Sequence, residues 1–290
     1  MELFTLQARK QIAAEIRKKF DKCNGAVVHF DGKQLVSNRR KREMLAVVVT
    51  GNNSTEQLLS CSFIQNGTGR SVADQVFKSL KQWGLEHFVR GKSYDTTNVN
   101  SGEKNGAGVL LEKHLGRKLL DLPCRHHVYE LVLMTAYKTV FKTSTTSPDD
   151  QVFKNFRDAW NGFNHENIAR LETEDLDPKE RSKLIDFCNG MLKNTYTRSD
   201  YEELLQLAIM CLDPDTRYDF KLPGAIHHAR WMAKAIYGLK MHLFRHQFSP
   251  RDVSYDSLKR FVLFVLRIYL KGRLKYILAF PFKCVTNRNI

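Results

Sequence analysis

The sequence predicts an α/β fold: a mixed sheet of about five strands flanked by helices, followed by an all-helical part. Three observations carry that reading. Short apolar runs at 26–31, 43–50 and 57–64 follow one another with turn residues between them, as in an antiparallel meander. From 71 onward helices and strands alternate, with helical spacing over 71–83 and 107–115 and strand patterns ending at Asp95 and at 122. After Phe141 no convincing strand pattern returns.

Each element has its own local signal. Residues 5–22 place Leu6, Ile12, Ile16 and Phe20 at helical spacing among basic residues, an amphipathic lead-in helix. Gly25 releases the first strand, Asp31-Gly32 reads as a turn closing it, and 51–54 turns the second strand into the third. Val72, Val76, Phe77 and Leu80 define the inner face of the helix over 71–83. A long helix starts near Arg125, after a fifth strand at 119–122. The order β-β-β-α-β-α-β-α lays the first strand parallel to the fourth, with helices on both faces. That arrangement is the RNase H-like fold.

Beyond the polar linker at 143–150, helices are expected at 155–163, 177–192, 198–212, 225–247 and 253–276. The expected organisation is therefore a lead-in helix at 1–23, an RNase H-like core at 24–142 and an α-helical insertion at 143–224. The C-terminal helices at 225–290 would begin a return to the core without completing it.

A formal charge of +15 points to a polyanionic partner, and residues 204–290 carry +10 of it, with 15 Lys and Arg against 5 Asp. A solvated basic face kept for solubility would give the same count. Six scattered cysteines without a Cys-x-x-Cys pair, and no signal-like N-terminus, fit a reducing intracellular compartment. No apolar run is long enough to span a membrane, since Arg267 interrupts the longest. Asn38-Arg-Arg-Lys-Arg42 is a basic cluster in the first hairpin, readable as a nuclear-localisation patch, a phosphate contact or a solvated turn.

Asp31 and Asp95 end the first and fourth strands, where a parallel sheet presents ligands. Two such carboxylates suit Mg²⁺ or Mn²⁺, which take hard oxygen ligands and complete their shell with water and phosphate oxygens. Each aspartate also has an ordinary reading: Asp31 would open an Asp-Gly turn, and Asp95 would cap the Asp-Thr-Thr-Asn turn. Phosphodiester chemistry of this type calls for about three acids, and no glutamate follows Glu203.

Four segments together carry a resemblance. They are Tyr94-Asp-Thr-Thr-Asn-Val-Asn-Ser-Gly102, Gly106-Ala-Gly-Val-Leu-Leu-Glu112, Leu119-Leu-Asp-Leu-Pro-Cys-Arg-His-His127 and Ala229-Arg-Trp-Met232. In this order and spacing they resemble the transposase domain of the hAT superfamily, over about 24–280, and most closely its degenerate open reading frames. The resemblance implies that Asp31 and Asp95 are the first two members of an Asp-Asp-Glu triad holding Mg²⁺ or Mn²⁺. It matches Cys124 and His127 to a Cys-x-x-His signature, and Arg230 and Trp231 to an Arg-Trp signature. The glutamate expected beyond Arg-Trp has no counterpart. Asp252 and Asp256 are the only acids there, and Glu130 is the nearest conceivable stand-in. The family's zinc finger and dimerisation segment have no counterpart either, which leaves a homo-oligomer open.

Cys124-x-x-His127 could be half of a zinc site completed by His227-His228. A His127 that faces DNA or bonds backbone in the core ranks above it. Trp231 would share an inner helix face with Ala235 and Leu239, while Arg230, Lys234, Lys240 and Arg245 form a basic stripe suited to a phosphate backbone. The expectation is a nuclear, transposase-derived domain that binds double-stranded DNA with an incomplete cleavage apparatus. The rival reading is a non-enzymatic protein-interaction scaffold.

Overall fold

Val28 and Phe30 alternate with Val27 and His29, and Leu45, Val47 and Val49 alternate with Ala46 and Val48, so these runs pair with one face on a core. The computed structural model describes residues 2–20, 25–37, 40–51, 56–142, 151–194, 199–224, 232–250 and 253–279. After helix α1 (Glu2–Lys19) come strands β1 (Ala26–Ser37), β2 (Arg40–Thr50) and β3 (Glu56–Ile64). Helix α2 (Gly69–Trp83), strand β4 (Val89–Ser93), the short α3 (Asn98–Ser101), α4 (Ala107–Leu115), β5 (Leu120–Asp121) and α5 (Arg125–Phe141) follow. The sheet order is β3-β2-β1-β4-β5, antiparallel across the first three strands and parallel across β1, β4 and β5. This is the α/β, RNase H-like arrangement expected.

One face of the sheet packs on α2 and α4 through Val72, Ala73, Val76, Leu80, Ala107 and Leu111. Helix α2 starts where Thr68 accepts a hydrogen bond from the Ser71 amide, and stops at Gly84 in the left-handed conformation (φ 61°). Trp83 fixes the far end, donating its indole N–H to the Leu59 carbonyl at 3.0 Å. Gly108 serves a close approach: a Cβ there would overlap the Tyr94 hydroxyl.

One boundary differs in kind from the expectation. Asp31-Gly32 is not a turn: β1 runs through it to Ser37, with Asp31 opposite Ala46 and Gly32 opposite Leu45. Cross-strand pairing along the whole hairpin outweighs the local turn preference of Asp-Gly. Asp31 therefore lies inside its strand.

The chain divides into two units, Met1–Val128 and Tyr129–Ala279, with the division falling inside α5 rather than at 142. The second unit holds α6 (Gln151–Ala159), α7 (Pro178–Leu192), α8 (Ser199–Leu212), α9 (Ala233–Leu243), α10 (Tyr255–Phe264) and α11 (Leu270–Ala279). Leu133, Tyr137 and Phe141 of α5 join the same core as Phe153, Leu204, Leu239 and Phe261. The separately expected insertion and C-terminal helices thus share one hydrophobic core, and the domain boundaries are corrected accordingly. A π-helical turn, Val265–Tyr269, links α10 to α11 where one continuous helix was expected. It buries Val265, Leu266 and Tyr269 together.

Helices α9 and α10 approach closely at Gly238, where a Cβ would overlap the Phe261 ring. Gly238→Ala is expected to cost about 1–3 kcal/mol by overpacking. Urea denaturation of the variant beside the parent chain measures it. Among the described residues no helix is long and apolar enough to cross a membrane.

Candidate functional site

The candidate site is built where the parallel pairing of β1 with β4 stops, beside the C-terminal ends of β4 and β5. The parallel register of β1 and β4 runs to His29 opposite Ser93. Asp31 and Asp95 each stand two residues further on, at matching positions along their chains. The residues just before them touch: Phe30 and Tyr94 have ring centroids 5.1 Å apart. Both aspartates thus follow the last bridged pair of β1 and β4 by two residues, with Asp31 inside β1 rather than at the strand end the sequence predicted.

Asp95 is held in place. Its Oδ1 accepts from the Thr97 amide at 3.3 Å, the Thr97 hydroxyl at 2.7 Å and the Asn100 side-chain amide at 2.7 Å. The capping role anticipated as its ordinary reading is therefore real. It leaves Oδ2 without a hydrogen-bond partner among the described residues, so capping and ligation are compatible. Asp31 is half-buried.

The Cys-x-x-His segment joins the same end. The Leu122 amide donates to the Lys92 carbonyl and the Cys124 amide to the Tyr94 carbonyl, both at 2.9 Å. Cys124 therefore lies alongside Tyr94, and α5 begins one residue later with half-buried His127 in its first turn. Among the described residues no group of three or more His, Cys, Asp and Glu side chains is placed to hold a metal ion. His227 and His228, named as possible zinc partners, lie outside the described residues, as do Arg230 and Trp231. Asp252 lies outside them too, while Asp256 pairs with Arg260 at 2.8 Å. Glu130 belongs to the helical unit. Its charge there adds to the burial that drives the Tyr269 hydroxyl well above its ordinary range.

Sequence reasoning missed the polar network behind Tyr94. Buried Lys92 pairs with buried Glu112 at 3.0 Å and with Asp121 at 3.6 Å, and the Tyr94 hydroxyl donates to Asp121 at 3.1 Å. Burial alone would raise the Glu112 carboxyl. Hydrogen bonds from the Leu119 amide, Lys118 and Lys92 more than reverse this and hold it below the usual carboxylate range. Burial, the bond to Asp121 and the nearby acids push the Tyr94 hydroxyl far above its usual range, so it stays a donor. The network fixes the strand end that carries Asp95. Its signal in the sequence was slight: Lys92 shares the strand Val89-Arg-Gly-Lys-Ser with Arg90, and only the alternation that leaves Arg90 exposed sets the buried lysine apart.

The basic stripe is corrected. Lys240 is 1% exposed, with its Nζ 2.6 Å from Glu203 and over the Trp160 ring. Arg245 is turned inward, donating to the Arg170 carbonyl at 2.8 Å and lying against Glu172 and Tyr255. Lys234 sits over the Tyr137 ring at 4.3 Å. Ala233 and 235–243 are buried on every side, so a cation on α9 must find an internal partner. Lys240 and Arg245 hold the helical core together and do not present a phosphate-tracking surface. No known family model and no curated protein matches this chain.

Proposed function

We propose that the sheet-bearing unit is a transposase-derived, nucleic-acid-binding domain of hAT type with an incomplete cleavage apparatus. The observation that supports the reading is the parallel register of β1 and β4, which Asp31 and Asp95 each follow by two residues past the His29–Ser93 pair. Two carboxylates, one with an uncommitted oxygen, form a donor set that fits Mg²⁺ or Mn²⁺ with water and phosphate oxygens as the remaining ligands. Asp31 and Asp95 would hold the ion. When bound, it would supply charge neutralisation for phosphate oxygens. The Thr97 and Asn100 bonds orient the Asp95 carboxylate, and the Tyr94–Asp121–Lys92 network holds the strand end behind it.

Double-stranded DNA is the proposed partner, a reading the +15 charge supports, and the nucleus is the compartment proposed with it. A homo-oligomer is compatible with this reading. Binding of a duplex by the full chain is expected to weaken steeply as salt rises, measured by fluorescence anisotropy. Cleavage with Mg²⁺ or Mn²⁺ is expected to stay at background. Robust cleavage abolished by Asp31→Asn would contradict the incomplete-site reading, and salt-independent binding would contradict the partner.

One observation favours the rival reading of a protein-interaction scaffold. Lys92, Lys240 and Arg273 are buried, so part of the positive charge lies inside the chain and contributes less to an external field.

A further inference from the structure

The sheet face opposite α2 and α4 carries a feature the function above does not use. Past the His29–Ser93 pair β1 has no β4 neighbour, and the pairing of β2 with β3 stops at Glu43 opposite Ile64. Residues 35–37 and 40–42 thus continue as a two-stranded ribbon, paired from Leu35–Arg42 to Ser37–Arg40, with no third strand among the described residues. Its sequence is one-sided in charge. Lys33, Arg40, Lys41 and Arg42 are basic, and no acid occurs between Asp31 and Glu43.

Strand alternation sorts this region into two faces. Val28, Phe30, Leu45 and Val47 point to the helices. The Glu43 carboxylate lies against Gly32 and Gly67, on that same side. Asp31, Lys33 and Arg42 belong to the other face, and so does Phe63, which pairs with Met44. Lys33 and Arg42 are exposed. Phe63 is 53% exposed, and the Arg42 guanidinium lies 5.7 Å from its ring centroid. A large aromatic ring left open in a β-strand, paired with a guanidinium and bordered by cations, has the composition of a base-stacking platform.

We propose that this face holds an unpaired stretch of nucleic acid, with a base stacked on Phe63 and its phosphates on Lys33 and Arg42, leading the strand toward Asp31. The inference rests on the nucleic-acid reading above and names the form of the substrate: unpaired nucleotides adjoining a duplex. Charge complementarity selects the partner. Lys33 and Arg42 match a phosphate backbone, and the exposed ring matches a base, which an acidic protein surface does not offer.

The test compares three labelled probes binding to the full chain by fluorescence anisotropy: a blunt DNA hairpin, the same hairpin with an eight-nucleotide unpaired tail, and heparin. Phe63→Ala is expected to weaken binding of the tailed hairpin by about tenfold. It should change blunt hairpin and heparin by less than about twofold. Phe63→Trp should restore the tailed probe, which a merely misfolded variant would not do. Arg42→Ala should weaken all three, most for the tailed probe. Equal affinity of Phe63→Ala and the unaltered chain for the tailed hairpin overturns the proposal while leaving the wider reading intact. An equal loss on all three probes overturns the stacking role. An unaltered chain that binds none of the probes overturns this inference and the nucleic-acid reading together.

Discussion

Replacing Lys92 with methionine is expected to destabilise the sheet-bearing unit by about 3 kcal/mol, among the largest effects of any single change described for this chain. Lys92 is 3% exposed and its Nζ lies 3.0 Å from Glu112, itself nearly buried. Removing the cation leaves the Glu112 carboxylate with only the exposed Lys118 and the Leu119 amide to compensate its desolvation. The partner change makes the prediction specific. Lys92→Met with Glu112→Leu removes both charges, leaves no buried ion behind and should recover most of the loss. Urea denaturation of the two single variants, the double variant and the parent chain gives the coupling directly. Additive single effects would show that the pair is not the source of the loss.

Mild acid is expected to destabilise both units of the chain. Burial lowers the His242 imidazole to about 3 and the His29 imidazole to about 4, against 6.5 for an ordinary histidine. For His242 the neighbouring Arg245, Lys259 and His246 add to the lowering, while Asp175 opposes it. A group whose folded value is depressed binds its proton more readily in the unfolded chain. Stability is therefore full above pH 6.5 and falls as the pH drops from there toward the folded values. At pH 5 each histidine costs about 2 kcal/mol relative to pH 7. His29 belongs to the sheet-bearing unit and His242 to the helical unit, so each unit loses about 2 kcal/mol, a sizeable part of a domain's stability. Thermal melts at pH 7 and pH 5 measure the two losses. His242→Phe, which keeps a ring beside Tyr255, should remove most of the pH-dependence of the helical unit. An unchanged pH profile in that variant would assign the acid sensitivity elsewhere.

Much of the fold was legible because the strands are short, apolar and separated by turn residues, and because α4, for example, begins and ends where its spacing predicts. The failures have physical causes. Asp31-Gly32 looked like a turn because local preference is visible in sequence, whereas the cross-strand pairing that overrides it depends on residues ten to fifteen positions away. Lys240 and Arg245 looked like a surface stripe because helical spacing shows which residues share a face but not whether that face is buried. The segment 233–244 held a usable warning, since Lys234, Lys240 and His242 are its only charged or titratable residues besides Tyr237. The pairing of Lys92 with Glu112 joins a strand to a helix across an interval no periodicity spans. The aspartates were legible as a pair only through topology; the bonds that orient Asp95 were visible as a capping sequence.

The nucleic-acid reading and the incomplete cleavage apparatus both hang on whether two acids from separate strands can share one cation. Crystals soaked in Mn²⁺ and measured at the manganese edge address that directly. A single strong anomalous peak bridging the side chains of residues 31 and 95, absent from an Asp95→Asn crystal, is the result expected. Manganese bound elsewhere, or carboxylates that turn apart and bind none, would contradict the shared site.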